Sequence, residues 1–182
     1  MIERINISRA LPVLLFAAVA VALAMGLKRD PKVIPSMLLD RPIPQFELPA
    51  LNAAQPGLNS AQFAGHGLVL VNVFASWCGS CRYEHPFLMR TAGDKRFTLV
   101  GMDWKDDAAN ANQYINTFGN PYSQIGIDAS GRTGINLGVS GVPETFVIDN
   151  KGRVRLRVPG PMTPEIWKTE IEPLIQTAEK SP

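Results

Sequence analysis

The chain has two cysteines, Cys78 and Cys81, and their close spacing is the feature of the sequence best suited to chemistry. As a structural disulfide the pair would close a four-residue loop, which in the loop-entropy treatment stabilises a protein by only about 2 kcal/mol. As a zinc site it lacks ligands, because the chain adds only His66 and His85. The spacing therefore favours thiol–disulfide exchange.

The position of Cys78 in the predicted elements suits a nucleophile. The apolar run "GLVLVNVFAS" from Gly67 predicts a buried strand, and "CGSCRYEHPFLMRTAG" predicts a helix that begins at Cys78. Unpaired backbone N–H groups and the positive end of the helix dipole favour a thiolate there. One helical turn places the two Cα atoms about 5–6 Å apart, within reach of a disulfide. We therefore expect Cys78 to attack the substrate and Cys81 to resolve the mixed disulfide.

The elements around the pair predict an α/β fold. The strand "FTLVGMDW" and an amphipathic helix from Asp106 to Gly119 complete a β-α-β-α alternation, which implies parallel pairing. A short strand in "SQIGID" and a short helix in "SGRTGINLG" follow. Two strands joined by Asn150-Lys151-Gly152 then predict a hairpin, and "TPEIWKTEIEPLIQTAEK" predicts a closing helix. The sum is a mixed central sheet, parallel in its first half, with helices on both faces.

The N-terminus predicts a membrane anchor. Residues 10–27 ("ALPVLLFAAVAVALAMGL") carry no charge and as a helix would extend about 27 Å, at roughly 1.5 Å per residue. We expect a transmembrane helix there after a short flank of residues 1–9, the alternative being a secretory signal with a cleavage site at Ala22-Leu23-Ala24. Both interpretations carry the remainder across a membrane. Prolines then predict an extended linker over residues 28–40, followed by one domain over residues 41–182.

The composition is that of one globular domain. Hydrophobic residues make up 46% of the chain and charged residues 19%, which is enough apolar material for a well-filled core. The formal net charge of +2 is small and no long basic run is present, so the sequence argues against nucleic-acid binding. We expect neither a metal nor another cofactor.

The residues around the dithiol resemble the thioredoxin fold. The shared features are "WCGSC" with Trp77 after a buried strand, Pro86 in the following helix, and Val142-Pro143 before the strand "ETFVID". The resemblance implies that the Val142–Pro143 bond is cis, a state found in only about 5–6% of X–Pro bonds in folded proteins. A cis-proline there would offer the backbone of Val142 to an extended substrate peptide. We expect Trp77 to cover the active-site sulfur.

Further segments resemble the DsbE or CcmG family, the membrane-anchored thioredoxin-like proteins of cytochrome c maturation. They are "CRYEHP", "GMDWKDD", "FGNPY", "LGVSGVPETFVID" and "EIWKTEIEPL". The resemblance implies a single-pass protein of the cytoplasmic (inner) membrane whose periplasmic domain reduces the Cys-x-x-Cys-His disulfide of apocytochrome c before haem attachment. Its implied partners are other cytochrome c maturation components and a membrane thiol carrier of the DsbD or CcdA type, which supplies electrons. Gly79 departs from several relatives, which have proline there, and leaves the redox potential open.

The acid that would serve the resolving thiol is not where thioredoxin has it. Thioredoxin carries a buried acid six positions before the first cysteine, and the matching residue here is Asn72, which cannot accept a proton. Glu84, on the helix of the resolving thiol, and Glu144, next to the expected cis-proline, are the alternatives. Acids close to the nucleophile would raise its pKa and favour a reducing protein. Either glutamate could instead be a solvated charge.

Four other residues lie near the site in the predicted fold. His85 is about two turns from Cys78, too far for a cysteine–histidine ion pair, so we expect it in the groove or the helix body. Asp103, Trp104 and Asp106 lie at the end of a strand, on the sheet edge that carries the dithiol. They either line the substrate groove or cap the end of the strand.

Two rival functions stay open at this point. The first is a binding module or holdase for unfolded apocytochrome with a dispensable dithiol, which a Cys78→Ser/Cys81→Ser double variant that still supports cytochrome c assembly would favour. The second is a disulfide oxidase or isomerase of the DsbA or DsbC type. The interval between Cys81 and Pro143 is too short for a whole inserted helical domain, which argues against the second.

Overall fold

The computed structural model describes residues 7–27, 38–53 and 55–179, and the chain divides into two units, Met1–Pro35 and Ser36–Pro182. The first unit contains helix α1, Ile7–Leu27. Side chains of α1 are described over residues 11–25, and within the described residues no helix combines the length and apolar content needed to cross a membrane. The transmembrane anchor stays a prediction, and most of the expected linker lies outside the described residues.

A mixed five-stranded sheet forms the centre of the second unit. The strands, in chain order, are β1 (Glu47–Leu48), β2 (Leu58–Asn59), β3 (Leu68–Phe74), β4 (Phe97–Trp104), β5 (Ile125–Asp128), β6 (Glu144–Ile148) and β7 (Val154–Pro159). The large sheet has the order β5-β4-β3-β6-β7, and β1 and β2 form a separate hairpin. β3 runs parallel to β4 and antiparallel to β6, and β6 and β7 pair antiparallel, so the predicted mixed sheet and closing hairpin are confirmed.

Helices cover both faces of this sheet, as predicted. They are α2 (Gly79–Thr91), α3 (Ala108–Phe118), α4 (Arg132–Asn136), α5 (Pro164–Ile166) and α6 (Glu172–Glu179). α2, α3 and α6 contribute Leu88, Tyr114 and Ile175 to one buried cluster, which includes Leu70 of β3. Leu137, directly after α4, packs with Val71 and Phe146 in the cluster on the other face. Every residue of β3 is buried, as expected of the central strand of such a sandwich.

The closing helix is predicted as one regular element, but the structure divides it. A π-helical turn, Trp167–Ile171, separates α5 from α6, and the N–H of Glu172 donates to the carbonyl of Trp167. Pro173 follows directly, lacks an N–H and clashes with the carbonyl one turn earlier in a regular helix. The wider turn moves the backbone out of that clash.

The hairpin of β1 and β2 is absent from the sequence-based prediction, because strands of two residues carry no periodicity. It lies along the edge of β5, where the Ile127 N–H donates to the Pro49 carbonyl at 2.9 Å. Gly126 permits the close approach, since a Cβ at that position would lie 2.6 Å from the Cβ of Leu58. The hairpin therefore extends the fold at β5, away from the β6–β7 edge.

Candidate active site

The two cysteines lie at the start of α2 and form a disulfide. Cys78 has extended backbone angles and caps the helix, and its Sγ accepts the N–H of Cys81 at 3.0 Å. The Cα atoms are 5.3 Å apart, within the predicted spacing. Cys81 is 2% exposed and Cys78 5% exposed. The helix N-terminus thus directs a backbone donor at the sulfur of Cys78, as thiolate stabilisation requires.

The loop between β4 and α3 holds the residues that lead into Cys78. The Ser76 N–H and hydroxyl both donate to the carboxylate of Asp106, and the indole N–H of Trp77 donates to the Lys105 carbonyl at 3.1 Å. Trp77 is 59% exposed, so its ring lies at the surface immediately before the dithiol. Asp106 therefore holds the segment that leads into Cys78, rather than capping the end of β4.

The Val142–Pro143 bond is cis, which confirms the expectation drawn from the resemblance. Pro143 is buried, its carbonyl accepts the Gly160 N–H at 2.9 Å, and Val142 packs half-buried against the core. β6 begins with the next residue, which pairs with Val73 near the end of β3. The cis-proline loop thus lies at the same end of the sheet as the dithiol.

Asn72 and Glu84 form a buried polar network on the face of the sheet that α2 covers. The amide nitrogen of Asn72 donates to Glu84 Oε1 at 2.9 Å and to Thr145 Oγ1 at 3.1 Å, while its oxygen accepts the Tyr122 hydroxyl at 2.7 Å. Glu84 Oε2 accepts the Met162 N–H at 2.6 Å. Glu84 is 1% exposed, so the hypothesis that it is a solvated charge is wrong.

Burial controls the protonation of Glu84. Desolvation raises the pKa of the Glu84 carboxyl from 4.5 to about 7, and the hydrogen bonds from Met162 and Asn72 oppose that rise. Cys81 lies one helical turn before Glu84, and both face the core from α2. A carboxyl with a pKa near neutrality, one turn from a buried thiol, is suited to accept and return a proton.

We expect Glu84→Gln to make the stability of the oxidised protein less dependent on pH. Between about pH 4.5 and 7 the native state keeps the Glu84 proton and the unfolded state loses it, so wild-type stability falls as pH rises through this window. At about 1.4 kcal/mol per pKa unit the fall amounts to about 3 kcal/mol. Glutamine does not titrate and removes this contribution.

Urea unfolding at pH 5 and pH 7 measures the difference. Glu170→Gln removes a carboxylate from an exposed position of the closing helical segment and should keep the wild-type pH dependence. A Glu84→Gln protein whose stability falls between the two pH values as steeply as that of Glu170→Gln would contradict the assignment.

Glu144 is buried on the opposite face of the sheet. It pairs with Val73, whose side chain alternates with that of Asn72 and so points away from α2. The carboxylate of Glu144 forms an ion pair with Arg157 and also accepts the N–H and hydroxyl of Ser140, both at 3.2 Å. Of the two candidate acids, the geometry thus favours Glu84 as the partner of Cys81 and gives Glu144 a place in the cis-proline loop.

His85 connects α2 to α3 and does not line the groove. It is 3% exposed, its Nε2 lies 3.1 Å from the Gly119 carbonyl and its Nδ1 lies 3.1 Å from the Tyr114 hydroxyl. Because a carbonyl only accepts, Nε2 carries the proton and Nδ1 accepts from Tyr114. Burial lowers the pKa of His85, which favours this neutral form.

Asp103 and Trp104 do not line a surface groove either. Both are buried, and Trp104 donates its indole N–H to the Gly131 carbonyl at 3.2 Å on the face opposite α2. The surface beside the dithiol is a cleft of about 440 Å³ between α2 and α3, bordered by Trp77, Arg82 and Phe118. The Arg82 guanidinium lies over the Phe118 ring, 5.2 Å from its centroid.

Two residues with structural roles at the site carry no sequence signal that sets them apart. Arg157 lies in the alternating run "RVRLRV", where nothing distinguishes a buried arginine from exposed ones at positions 153 and 155. Tyr122 binds Asn72 across 50 residues of sequence. Only the pairing of β6 with β7 and the docking of the loop before β5 bring them to the site.

Comparison with known proteins places the chain in a family. The Redoxin family profile matches residues 39–174. The thiol:disulfide interchange protein DsbE of Allochromatium vinosum is 40% identical over 91% of each chain, and that of Escherichia coli K12 is 38% identical over 93% of this chain and 94% of its own. The crystal structure of a thioredoxin-family thiol:disulfide interchange protein from Chlorobium tepidum aligns with a TM-score of 0.57 and 27% identity, over 75% of this chain and 94% of its own. The chain is a thioredoxin-like thiol–disulfide oxidoreductase and belongs to the redoxin family and, within it, to the DsbE thiol:disulfide interchange proteins.

Proposed function

We propose that the protein is a disulfide reductase that acts on the Cys-x-x-Cys-His segment of apocytochrome c before haem attachment. The observation that supports a reducing rather than an oxidising protein is the buried acid next to the dithiol. Glu84 lies one turn beyond Cys81 and is hydrogen-bonded to Asn72. A strong oxidant of the DsbA type depends on a stabilised thiolate in its reduced form. A buried carboxyl group opposes such stabilisation when it is ionised, and Glu84, with a pKa of about 7, is partly ionised at neutral pH. The oxidised form is then favoured and the protein gives up electrons.

The proposed exchange begins at Cys78. Its thiolate attacks one sulfur of the substrate disulfide, a mixed disulfide forms, and the other substrate sulfur leaves as a thiolate. Cys81 then loses its proton to Glu84 and attacks the sulfur of Cys78, which releases the second substrate thiolate. The product is the Cys78–Cys81 disulfide seen in the structure. A membrane thiol carrier of the DsbD or CcdA type would return two electrons to it.

The cis-proline loop supplies the binding surface in this proposal. Val142 precedes Pro143 at the end of the sheet that carries the dithiol, where its backbone can pair with an extended peptide as an added strand. Trp77, which directly precedes Cys78 and is exposed, would supply a second, apolar contact surface. A peptide held between the two would present its disulfide to Cys78.

The proposal also gives the protein a place in the cell. In this proposal the uncharged run of residues 10–27 anchors the chain in the cytoplasmic membrane, with the thioredoxin-like domain in the periplasm. Apocytochromes acquire haem on that side in the maturation system that the DsbE resemblance implies. The anchor would keep the reductase close to both its electron donor and the other maturation components.

The reduction potential tests the direction of exchange. We expect equilibration with glutathione buffers to give a value well below the roughly −120 mV of DsbA, within or below the range of about −180 to −230 mV of the isomerases and glutaredoxins. The second measurement is reduction of an oxidised Cys-x-x-Cys-His peptide, with an alanine-for-histidine peptide as matched control. A potential close to that of DsbA would contradict the reductase assignment, and equal rates on both peptides would contradict the substrate assignment.

A further inference from the structure

A second buried acid, Asp103, lies under the loop that leads into the dithiol. It occupies the end of β4, is 0% exposed, and pairs with Phe74 of β3 and Ile127 of β5. Phe74 belongs to the cluster that α2 covers, so Asp103 faces the dithiol side of the sheet. The reaction proposed above gives Asp103 no role.

As a carboxylate, Asp103 would be poorly satisfied. Within the part of the chain that the structure describes, no donor reaches either of its carboxyl oxygens. An ionised carboxylate without donors in such a place is costly, whereas the neutral acid carries a proton that it can donate. Burial and, after it, the negative charge of Asp106 raise the pKa of Asp103 to about 8.

Asp106, in contrast, has donors on both oxygens. Its Oδ2 accepts the Ser76 N–H, and its Oδ1 accepts the Ser76 hydroxyl at 3.0 Å and the Asp107 N–H at 2.8 Å. Each carboxylate oxygen has two lone pairs, so a fourth donor can be accommodated. A neutral Asp103 carries a proton that could serve as this donor.

The other groups around Asp103 reinforce this assignment. Asp107, at the start of α3, adds a second negative charge that favours the neutral acid. Tyr122, from the loop before β5, and Glu84, from α2, add no positive charge to this interior. The strand residues that pair with Asp103, Phe74 of β3 and Ile127 of β5, are apolar. The adjacent cation, Lys105, has its Nζ 4.2 Å from the centre of the Trp104 ring, which packs on the other face of the sheet.

We propose that Asp103 and Asp106 form a carboxyl pair that shares one proton, and that this pair positions the turn from Ser76 to Cys78. Asp103 is the protonated donor and Asp106 the charged acceptor that holds Ser76. Loss of the shared proton leaves two adjacent carboxylates, which repel each other, loosen the hold on Ser76 and add a negative charge near the sulfur of Cys78. The consequence for Cys78 rests on its proposed role as nucleophile, whereas the pair itself does not.

The pair is tested on the oxidised protein by carboxyl-carbon NMR with labelled aspartate. We expect one aspartate carboxyl to titrate near pH 8 and to be missing from Asp103→Asn, whose amide can donate to Asp106 but cannot titrate. Asp106→Asn should lower the midpoint, because it removes the neighbouring charge. Asp107→Asn, the matched control, should keep the titration with a smaller shift. Titration of all aspartate carboxyls below about pH 5, as in ordinary exposed groups, would overturn the pair even if a variant failed to fold.

The positioning role is tested by the pH profile of Cys78 alkylation in a Cys81→Ser background. We expect Asp103→Asn and the parent to react alike at pH 6.5, and the parent to fall several-fold behind above pH 8, where its pair has lost the proton. The Asp107→Asn variant should lose reactivity as the parent does, at a slightly lower pH. Profiles of the parent and Asp103→Asn that superimpose up to pH 9.5 would overturn the positioning role. A failed reductase assignment would instead appear in the potential and peptide assays and leave both readouts unchanged.

Discussion

Replacing Cys81 by serine is expected to turn the protein into a covalent trap for its substrate. Cys78, at the helix N-terminus, can still attack a disulfide and form the mixed disulfide, because its sulfur keeps the backbone donor of residue 81. Serine cannot supply the second thiolate, so the complex persists and turnover is abolished. Non-reducing electrophoresis and mass spectrometry of the protein incubated with an oxidised Cys-x-x-Cys-His peptide measure the adduct.

The reciprocal variant decides which sulfur attacks. Cys78→Ser leaves Cys81 as the only thiol, and Cys81 faces the helix body and the core with 2% exposure, so we expect neither turnover nor adduct. Ser80→Ala changes one of the two exposed residues between the cysteines and serves as the matched control, with turnover close to that of wild type. An adduct that forms with Cys78→Ser but not with Cys81→Ser would reverse the roles.

Much of this site could be predicted from the sequence because the features that position the two cysteines are local. The dithiol spacing, the buried run before it and the helical pattern after it are local features, and they determine β3, α2 and the position of the sulfurs. β4 coincides with the predicted run Phe97–Trp104 for the same reason. The cis bond before Pro143 needed the family resemblance, because the residue types alone leave trans far more common.

The polar partners of the site could not be predicted, because they are set by packing between distant segments. Glu84 could be named as a candidate acid, but its burial depends on Asn72 of β3 and on the Met162 N–H, 78 residues away. Glu144 could also be named, but the face it occupies follows from the register of β6 against β3. Its partner Arg157 follows from the register of β7, which a sequence pattern does not specify.

Arg157→Met is expected to lower the free energy of unfolding by about 3–5 kcal/mol, the usual cost of removing one partner of a buried ion pair. The side chains of Arg157 and Glu144 are 8% and 1% exposed. Without Arg157, Glu144 would be left charged in the interior, and Ser140 would be its remaining donor among the residues that the structure describes. The same pair fixes the segment from Ser140 to Glu144 that contains the cis-proline. We therefore also expect a higher KM for the disulfide peptide. Urea unfolding at pH 7 and steady-state kinetics measure the two effects.

The expected loss of stability in Arg157→Met depends on the burial of the ion pair, and an exposed arginine of β7, Arg155, offers the control. Arg155 forms an ion pair with Asp40 at 3.2 Å, but the two side chains are 44% and 74% exposed, so Arg155→Met should cost at most about 1 kcal/mol. A Glu144→Gln/Arg157→Met double variant removes both charges and should recover most of the loss, because a buried ion pair contributes little beyond compensating its own desolvation. If Arg157→Met unfolded no more easily than Arg155→Met, the Glu144–Arg157 pair would not be what holds the cis-proline segment in place.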